Sequence, residues 1–232
     1  MNSYSIAVIN AGISDPSSTR LLADRIAQKT VDTLREAGLT ATVQPLDLGP
    51  IATDIARAIV SGIPGPQVQD AIDKLARADA VIAATPVFKA GISGLFKSFA
   101  DLIDNDLLIA KPVILAATGG SARHAMVLDD HLRPLFAFLR AIPVPTSLYA
   151  APEDWGSADL GMRIARAAGE LAVLLRSKAT REIADSNWDG YQHQFGGNAT
   201  RAHRSVEDVD FDTDLMRLAA GGSSDPSITL IG

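Results

Sequence analysis

Three short stretches of this sequence carry side chains and backbone suited to holding a ligand. The first places Ser14, Ser17, Ser18 and Thr19 around an expected helix start, with Arg20 next. Hydroxyls and free backbone N–H groups at a helix N-terminus make an anion site. The same residue types are also ordinary N-caps, so the cluster alone leaves both roles open. The second stretch is Pro86-Val87-Phe88-Lys89, followed by Gly91 and Gly94. It is apolar and aromatic where a solvent-facing loop is expected to be polar, which reads as a shelf for a flat ligand. Packing of Phe88 on the core is the alternative. The third is Thr118-Gly119-Gly120, where glycine lets the backbone come close to the polar edge of a ring.

Absent motifs narrow the chemistry. No GxxxxGK[ST] is present, and no GxGxxG follows the first strand, so the first loop is not built for a dinucleotide pyrophosphate. Hydroxyls without a lysine suit one terminal phosphate. One phosphate plus one flat polar ring describes FMN. The four histidines show neither HxxxH nor HxH spacing, and cysteine is absent, so no metal site is expected. The lack of cysteine also removes disulfides and thiol nucleophiles and suits a reducing cytoplasm. A net charge of -6, from 21 basic and 27 acidic residues, argues against a nucleic-acid partner. No apolar run approaches the roughly 20 residues of a membrane span, and the first residues lack a secretory pattern.

The elements that must position these loops alternate between strand and helix. Ser5-Ile6-Ala7-Val8-Ile9 is a buried strand, and the helix after it carries Leu22, Ile26, Ala27, Val31 and Leu34 on one face up to Gly38. Residues 40–45 alternate in polarity and end in Pro45, which places them at a sheet edge. Helices are expected over 51–60 and 68–78. The run Ala80-Val81-Ile82-Ala83-Ala84 is a strand buried on both faces that ends at Thr85-Pro86. A helix then places Leu95, Phe99, Leu102 and Ile103 on its core face and turns Phe96 outward. Strands follow at 112–117 and 144–149, with helices at 129–140 and 157–184. This pattern implies a flavodoxin-like α/β three-layer sandwich around a five-stranded parallel sheet of order 2-1-3-4-5. The three loops then meet in the crevice at the carboxyl ends of strands one, three and four. Residues 1–185 make this domain, and 186–232 read as an appended arm, partly irregular or disordered.

These residues resemble the NADPH-dependent FMN reductases of flavodoxin-like fold over roughly residues 5–184. The resemblance rests on GISDPSST, on the TGG after the fourth strand and most specifically on TPVFKAGISGLFK. Family members show T-P-x-[YF]-x-x-[GS]-x-x-G-x-[LF]-K, met here by Thr85, Pro86, Phe88, Gly91, Gly94, Phe96 and Lys97. The tail, with GGNATRA and DVDFDTDLMRLAAGG, is similar to the actinobacterial branch that accompanies luciferase-like monooxygenases. One departure concerns the first loop: Ile13 follows Gly12 where many relatives have serine, and Asp15 stands where a basic residue would help. Arg20 is then left either to meet the phosphate or to face solvent.

The resemblance implies hydride transfer from NADPH or NADH to FMN and supply of reduced flavin to a separate monooxygenase. No side-chain acid or base is required, because the flavin carries the chemistry. The implied FMN contacts are Ser14, Ser17, Ser18, Thr19, Arg20, Pro86, Val87, Phe88, Lys89, Gly91, Thr118, Gly119 and Gly120. His124 is the titratable group nearest the expected ring. Lys89 and Arg123 are candidates for a nicotinamide phosphate, and Trp155, Trp188 and Tyr191 for stacking or an interface. Two alternatives use the same fold: an FMN-bound quinone, azo or nitroaromatic reductase, and a non-enzymatic flavodoxin-like electron carrier. Outward-facing Phe96 and Phe138 imply a homodimer or a dimer of dimers, the pairing that the family resemblance also suggests.

Overall fold

Strand β1 (Ser3–Asn10) sends alternate side chains to opposite faces of the sheet, and both faces are apolar. Ala7 and Ile9 enter one core with Ile72, Leu75, Phe96, Phe99 and Phe136. Ile6 and Val8 enter the other with Leu22, Ile26, Ile164 and Leu171. A strand buried on both sides requires helices on both sides, and this gives the three layers. Helices α1 (Ser18–Glu36) and α6 (Ala158–Ser177) cover one face. Helices α2 (Ala52–Ser61), α3 (Pro66–Arg77), α4 (Gly94–Ala100) and α5 (Arg133–Phe138) cover the other. The computed structural model describes residues 3–187. Apart from its first two positions, the arm expected from residue 186, with Trp188 and Tyr191, lies outside the described residues.

The sheet winds as expected. Strand β1 pairs in parallel with β2 (Thr40–Asp47) on one side and β3 (Ala80–Phe88) on the other. Strand β3 pairs in parallel with β5 (Pro112–Thr118). Among the described residues β2 pairs with β1 alone, so it forms an edge and tolerates Pro45. Among the described residues the sheet has seven strand segments rather than five. One extra piece is the two-residue β4 (Gly91–Ile92), and the other arises because the last strand is split into β6 (Ile142–Pro143) and β7 (Leu148–Ala150), both parallel to β5.

The split has a physical cause. Pro143 and Pro145 carry no N–H for a ladder; Val144 N–H still reaches the Val113 carbonyl at 2.9 Å, and side chains serve other backbone groups between the two pieces. Arg133 donates to the carbonyls of Val144 and Pro145, and Glu170 accepts from the N–H and hydroxyl of Thr146.

Other expectations are corrected. Strand β3 does not end at Thr85-Pro86. It runs to Phe88, turns through Lys89-Ala90 and returns antiparallel as β4, with Val87 opposite Ile92 and Phe88 opposite Gly91. The long C-terminal helix is broken at Lys178, whose φ of 58° caps α6 before α7 (Ala179–Asn187) begins. Phe96 is 2% exposed rather than outward-facing, and its ring meets that of Phe136 at 6.3 Å. Phe138 is 65% exposed, as the pattern suggests.

Candidate functional site

The carboxyl ends of β1, β3 and β5 lie side by side, and each opens into one of the three stretches singled out from the sequence. The first runs from Asn10 to α1. Ser17 is the N-cap, and its Oγ accepts from the N–H of Arg20 at 3.2 Å. That leaves the N–H groups of Ser18 and Thr19 at the open end of a 19-residue helix, where an anion is favoured. Ser14 and Ser18 are exposed. Gly12 is the tight point, since a Cβ there would lie 2.2 Å from Ser17 Oγ and 3.0 Å from Thr19 Cβ.

Two residues of this loop are committed elsewhere. The buried Thr19 hydroxyl lies 2.7 Å from that of Thr118, tying α1 to the end of β5 across 99 positions of sequence. Arg20 is engaged by two carboxylates. Its Nε lies 2.8 and 2.9 Å from the two Asp24 oxygens, and its Nη1 lies 2.6 Å from Asp47 Oδ2. The Asp24 hydrogen bond, and then Asp47, strengthen its hold on the proton against a weakening effect of burial. It therefore neutralises acid beside the loop.

The second stretch is a hairpin rather than a free loop. Thr85 Oγ1 donates to the carbonyl of Pro86 and accepts from the N–H of Ser93, while Ser93 Oγ caps α4 by accepting from Phe96 N–H. Pro86 and Val87 are half-buried, and Phe88 stands 49% exposed at the strand end. The positive φ values belong to Lys89 (50°) and Ala90 (64°), the two central residues of the turn, and not to Gly91. A Cβ at Gly91 would meet nothing nearer than His131 Cε1 at 3.9 Å. Neither a positive φ nor a close protein neighbour therefore requires glycine at position 91.

At the third stretch the close approach is real. A Cβ on Gly119 would lie 2.2 Å from the hydroxyl of Tyr149, whereas one on Gly120 would meet nothing within 4 Å. Tyr149 is 4% exposed and donates its hydroxyl to the Ser121 carbonyl at 2.7 Å, so it shapes the turn from behind. Burial, followed by the Glu153 and Asp154 carboxylates, pushes its pKa up and keeps it a donor. Arg163 in turn donates to the Tyr149 carbonyl and to Asp154. Sequence reasoning passed over Tyr149, Asn10 and Asp47. An apolar strand containing one tyrosine gives no signal of what its hydroxyl reaches 28 positions earlier. Of the remaining candidates, Arg123 is exposed and His124 half-buried in the turn after Ser121. Trp155 is half-buried under Arg25, whose guanidinium lies 5.9 Å from the ring centre.

Residues 4–156 match the family model of NADPH-dependent FMN reductases. The chain belongs to that family. It is 36% identical over 177 residues to an NADH-dependent FMN reductase (SfnE) of Pseudomonas putida, covering 73% of this chain and 91% of the relative. It is 33% identical over 183 residues to an FMN reductase (NADPH) of Pseudomonas aeruginosa, covering 76% and 95%. Among solved structures, an oxidoreductase of Corynebacterium diphtheriae superposes with a TM-score of 0.74 at 42% identity, covering 77% of this chain and all of the other. The residues present in this family member fit FMN. The α1 terminus offers donors for one phosphate, and glycine stands at the two points of closest packing, Gly12 and Gly119. The β3 end offers a proline, a valine and an exposed phenylalanine as an apolar edge.

Proposed function

We propose that this chain is an NAD(P)H-dependent FMN reductase acting at the carboxyl ends of β1, β3 and β5. The observation that carries this reading is the 2.7 Å contact between Thr19 and Thr118. It locks an anion-holding helix end to the strand whose next residues are Gly119 and Gly120, so phosphate and ring contacts belong to one site. The N–H groups of Ser18 and Thr19, with Ser14 and Ser17, hold the phosphate. Pro86, Val87 and Phe88 set the plane of the ring and exclude water from one edge, and the backbone of residues 118–120 meets its polar edge. The chemistry that bound FMN supplies is acceptance of a hydride at N5 from a reduced nicotinamide. The chain's own contribution is to orient two rings and to keep water away, and no proton transfer is assigned to a side chain. Lys89 and Arg123, exposed in the turns that follow β3 and β5, suit a nicotinamide phosphate.

A finer reading follows from the resemblance of residues 196–222 to reductases that accompany luciferase-like monooxygenases. In it, FMN is a substrate that leaves reduced and serves a separate monooxygenase in the cytoplasm, and the exposed Phe138 lies in a homodimer contact. One assay tests the reaction. Purified protein is mixed with NADH or NADPH at increasing FMN, and the 340 nm absorbance is followed. Turnover that saturates in FMN is expected. Turnover that needs a quinone or an azo compound and no added FMN would replace this reading with an organic-acceptor reductase. Light scattering tests the dimer, and a fully active monomer at micromolar concentration would exclude it.

A further inference from the structure

The end of the β1–β2 ladder holds a polar chain that the reaction itself does not use. Asn10 and Asp47 stand directly opposite each other, and Asn10 is 4% exposed. Its Nδ2 donates to Asp47 Oδ1 at 2.9 Å, and its Oδ1 accepts from the N–H of Gly12 at 3.0 Å. The other Asp47 oxygen receives Arg20 Nη1, while Arg20 Nε engages Asp24. An ionised carboxylate only accepts and a backbone N–H only donates. Between the two, the Asn10 amide has a single allowed orientation. In that orientation it ties Gly12 back to the strand end, at the point where a Cβ would run into Ser17 Oγ at 2.2 Å.

We infer that Asp47 is a positioning residue for the flavin-phosphate site. It fixes the Asn10 amide, which holds the Gly12 turn against Ser17 and so aims the N–H groups of Ser18 and Thr19. Arg20 neutralises Asp47, so that its charge does not oppose the phosphate. The inference rests on the FMN reading above.

The test is FMN titration, followed by flavin fluorescence, on the full chain. Asn10→Asp sets two carboxylates face to face, with Arg20 and Asp24 of α1 as the other charged groups of this network. At pH 7.5 the variant is expected to bind FMN about tenfold more weakly or worse, by loss of a charge-assisted hydrogen bond and gain of repulsion. At pH 5.5 much of that loss is expected to return, because a proton shared by the pair restores the missing donor. The exchanged variant Asn10→Asp with Asp47→Asn restores the donor across the ladder. It is expected within about threefold of wild type at pH 7.5, with no recovery on acidification. Wild-type affinity in folded Asn10→Asp, or an exchanged variant as weak as the single one, overturns the inference. If Asn10→Asp does not fold, Asp47→Leu carries the test. A loss of about threefold or more supports the role, and wild-type affinity removes it. Wild-type protein that binds no FMN overturns the function proposed above and this inference with it.

Discussion

Gly119→Ala should damage both the fold and the flavin site, and the damage should depend on one atom of another residue. The new Cβ would lie 2.2 Å from Tyr149 Oη, 3.2 Å from Tyr149 Cζ and 3.5 Å from Val87 Cβ. A carbon–oxygen contact of normal length requires the hydroxyl to retreat by about 1 Å. Tyr149 has little room for this, because it lies in β7 at 4% exposure and its hydroxyl already spans 2.7 Å to Ser121. Losing that hydrogen bond costs about 1 kcal/mol, and overpacking adds about 1–3 kcal/mol, so Gly119→Ala should lose about 2–4 kcal/mol. Tyr149→Phe alone should lose about 1 kcal/mol. In the double variant the clashing oxygen is gone and the 3.2 Å contact is the tightest that remains, which a shift of a few tenths of an ångström relieves. Its loss should fall short of the sum by about 2–4 kcal/mol, because the hydrogen bond is counted in both single variants and most of the overpacking is relieved. Urea unfolding of the three variants measures this directly. FMN titration should rank them in the same way, with Gly119→Ala weakest. Strictly additive losses would refute the argument that the Tyr149 hydroxyl is what demands glycine at position 119.

Thr19→Val should cost about 1–3 kcal/mol in urea unfolding, because it strands the buried Thr118 hydroxyl, and adding Thr118→Val should recover part of that loss. Gly91→Ala should leave FMN binding unchanged, since Gly91 has neither positive φ nor a close neighbour, whereas Ala90→Gly should stabilise the hairpin by about 1 kcal/mol by relieving φ 64°. Lys111 sits at the C-terminus of α3 and donates to the carbonyls of Leu75, Ala76 and Ala78, and burial pulls its pKa down to about 8 against the opposing pull of Asp79. Between pH 8 and the ordinary lysine pKa of about 10.4 the unfolded chain holds the extra proton, so this group's contribution to stability rises with pH there and is flat below. Unfolding free energies of wild type and Lys111→Met, measured from pH 7 to 9.5, should therefore diverge upward for wild type above pH 8, and parallel curves would exclude the depressed pKa.

The sequence by itself determined the winding of the sheet and the three loops that meet at one end. Both are written in local patterns. Residues 80–84 are apolar without alternation and, bounded by the turn at Thr85-Pro86, read as a strand covered on both faces. The hydroxyl run 17–19 before the stripe of Leu22 and Ile26 marks a helix start. The turn composition of residues 85–94 was also legible, but its form was not. Lys89 and Ala90 adopt positive φ although neither is glycine, because the pairing of Val87 with Ile92 and of Phe88 with Gly91 imposes a two-residue turn. Only the tertiary structure decided which polar side chains pair with one another. Arg20, read as a phosphate contact, is taken by Asp24 and Asp47, and Thr19 by Thr118. Asn10, Asp47 and Tyr149, with no motif to mark them, hold the turns in place. The physical reason is reach. A hydrogen bond joins atoms about 3 Å apart whatever the sequence separation, and backbone periodicity carries no record of partners 28, 37 or 99 positions away.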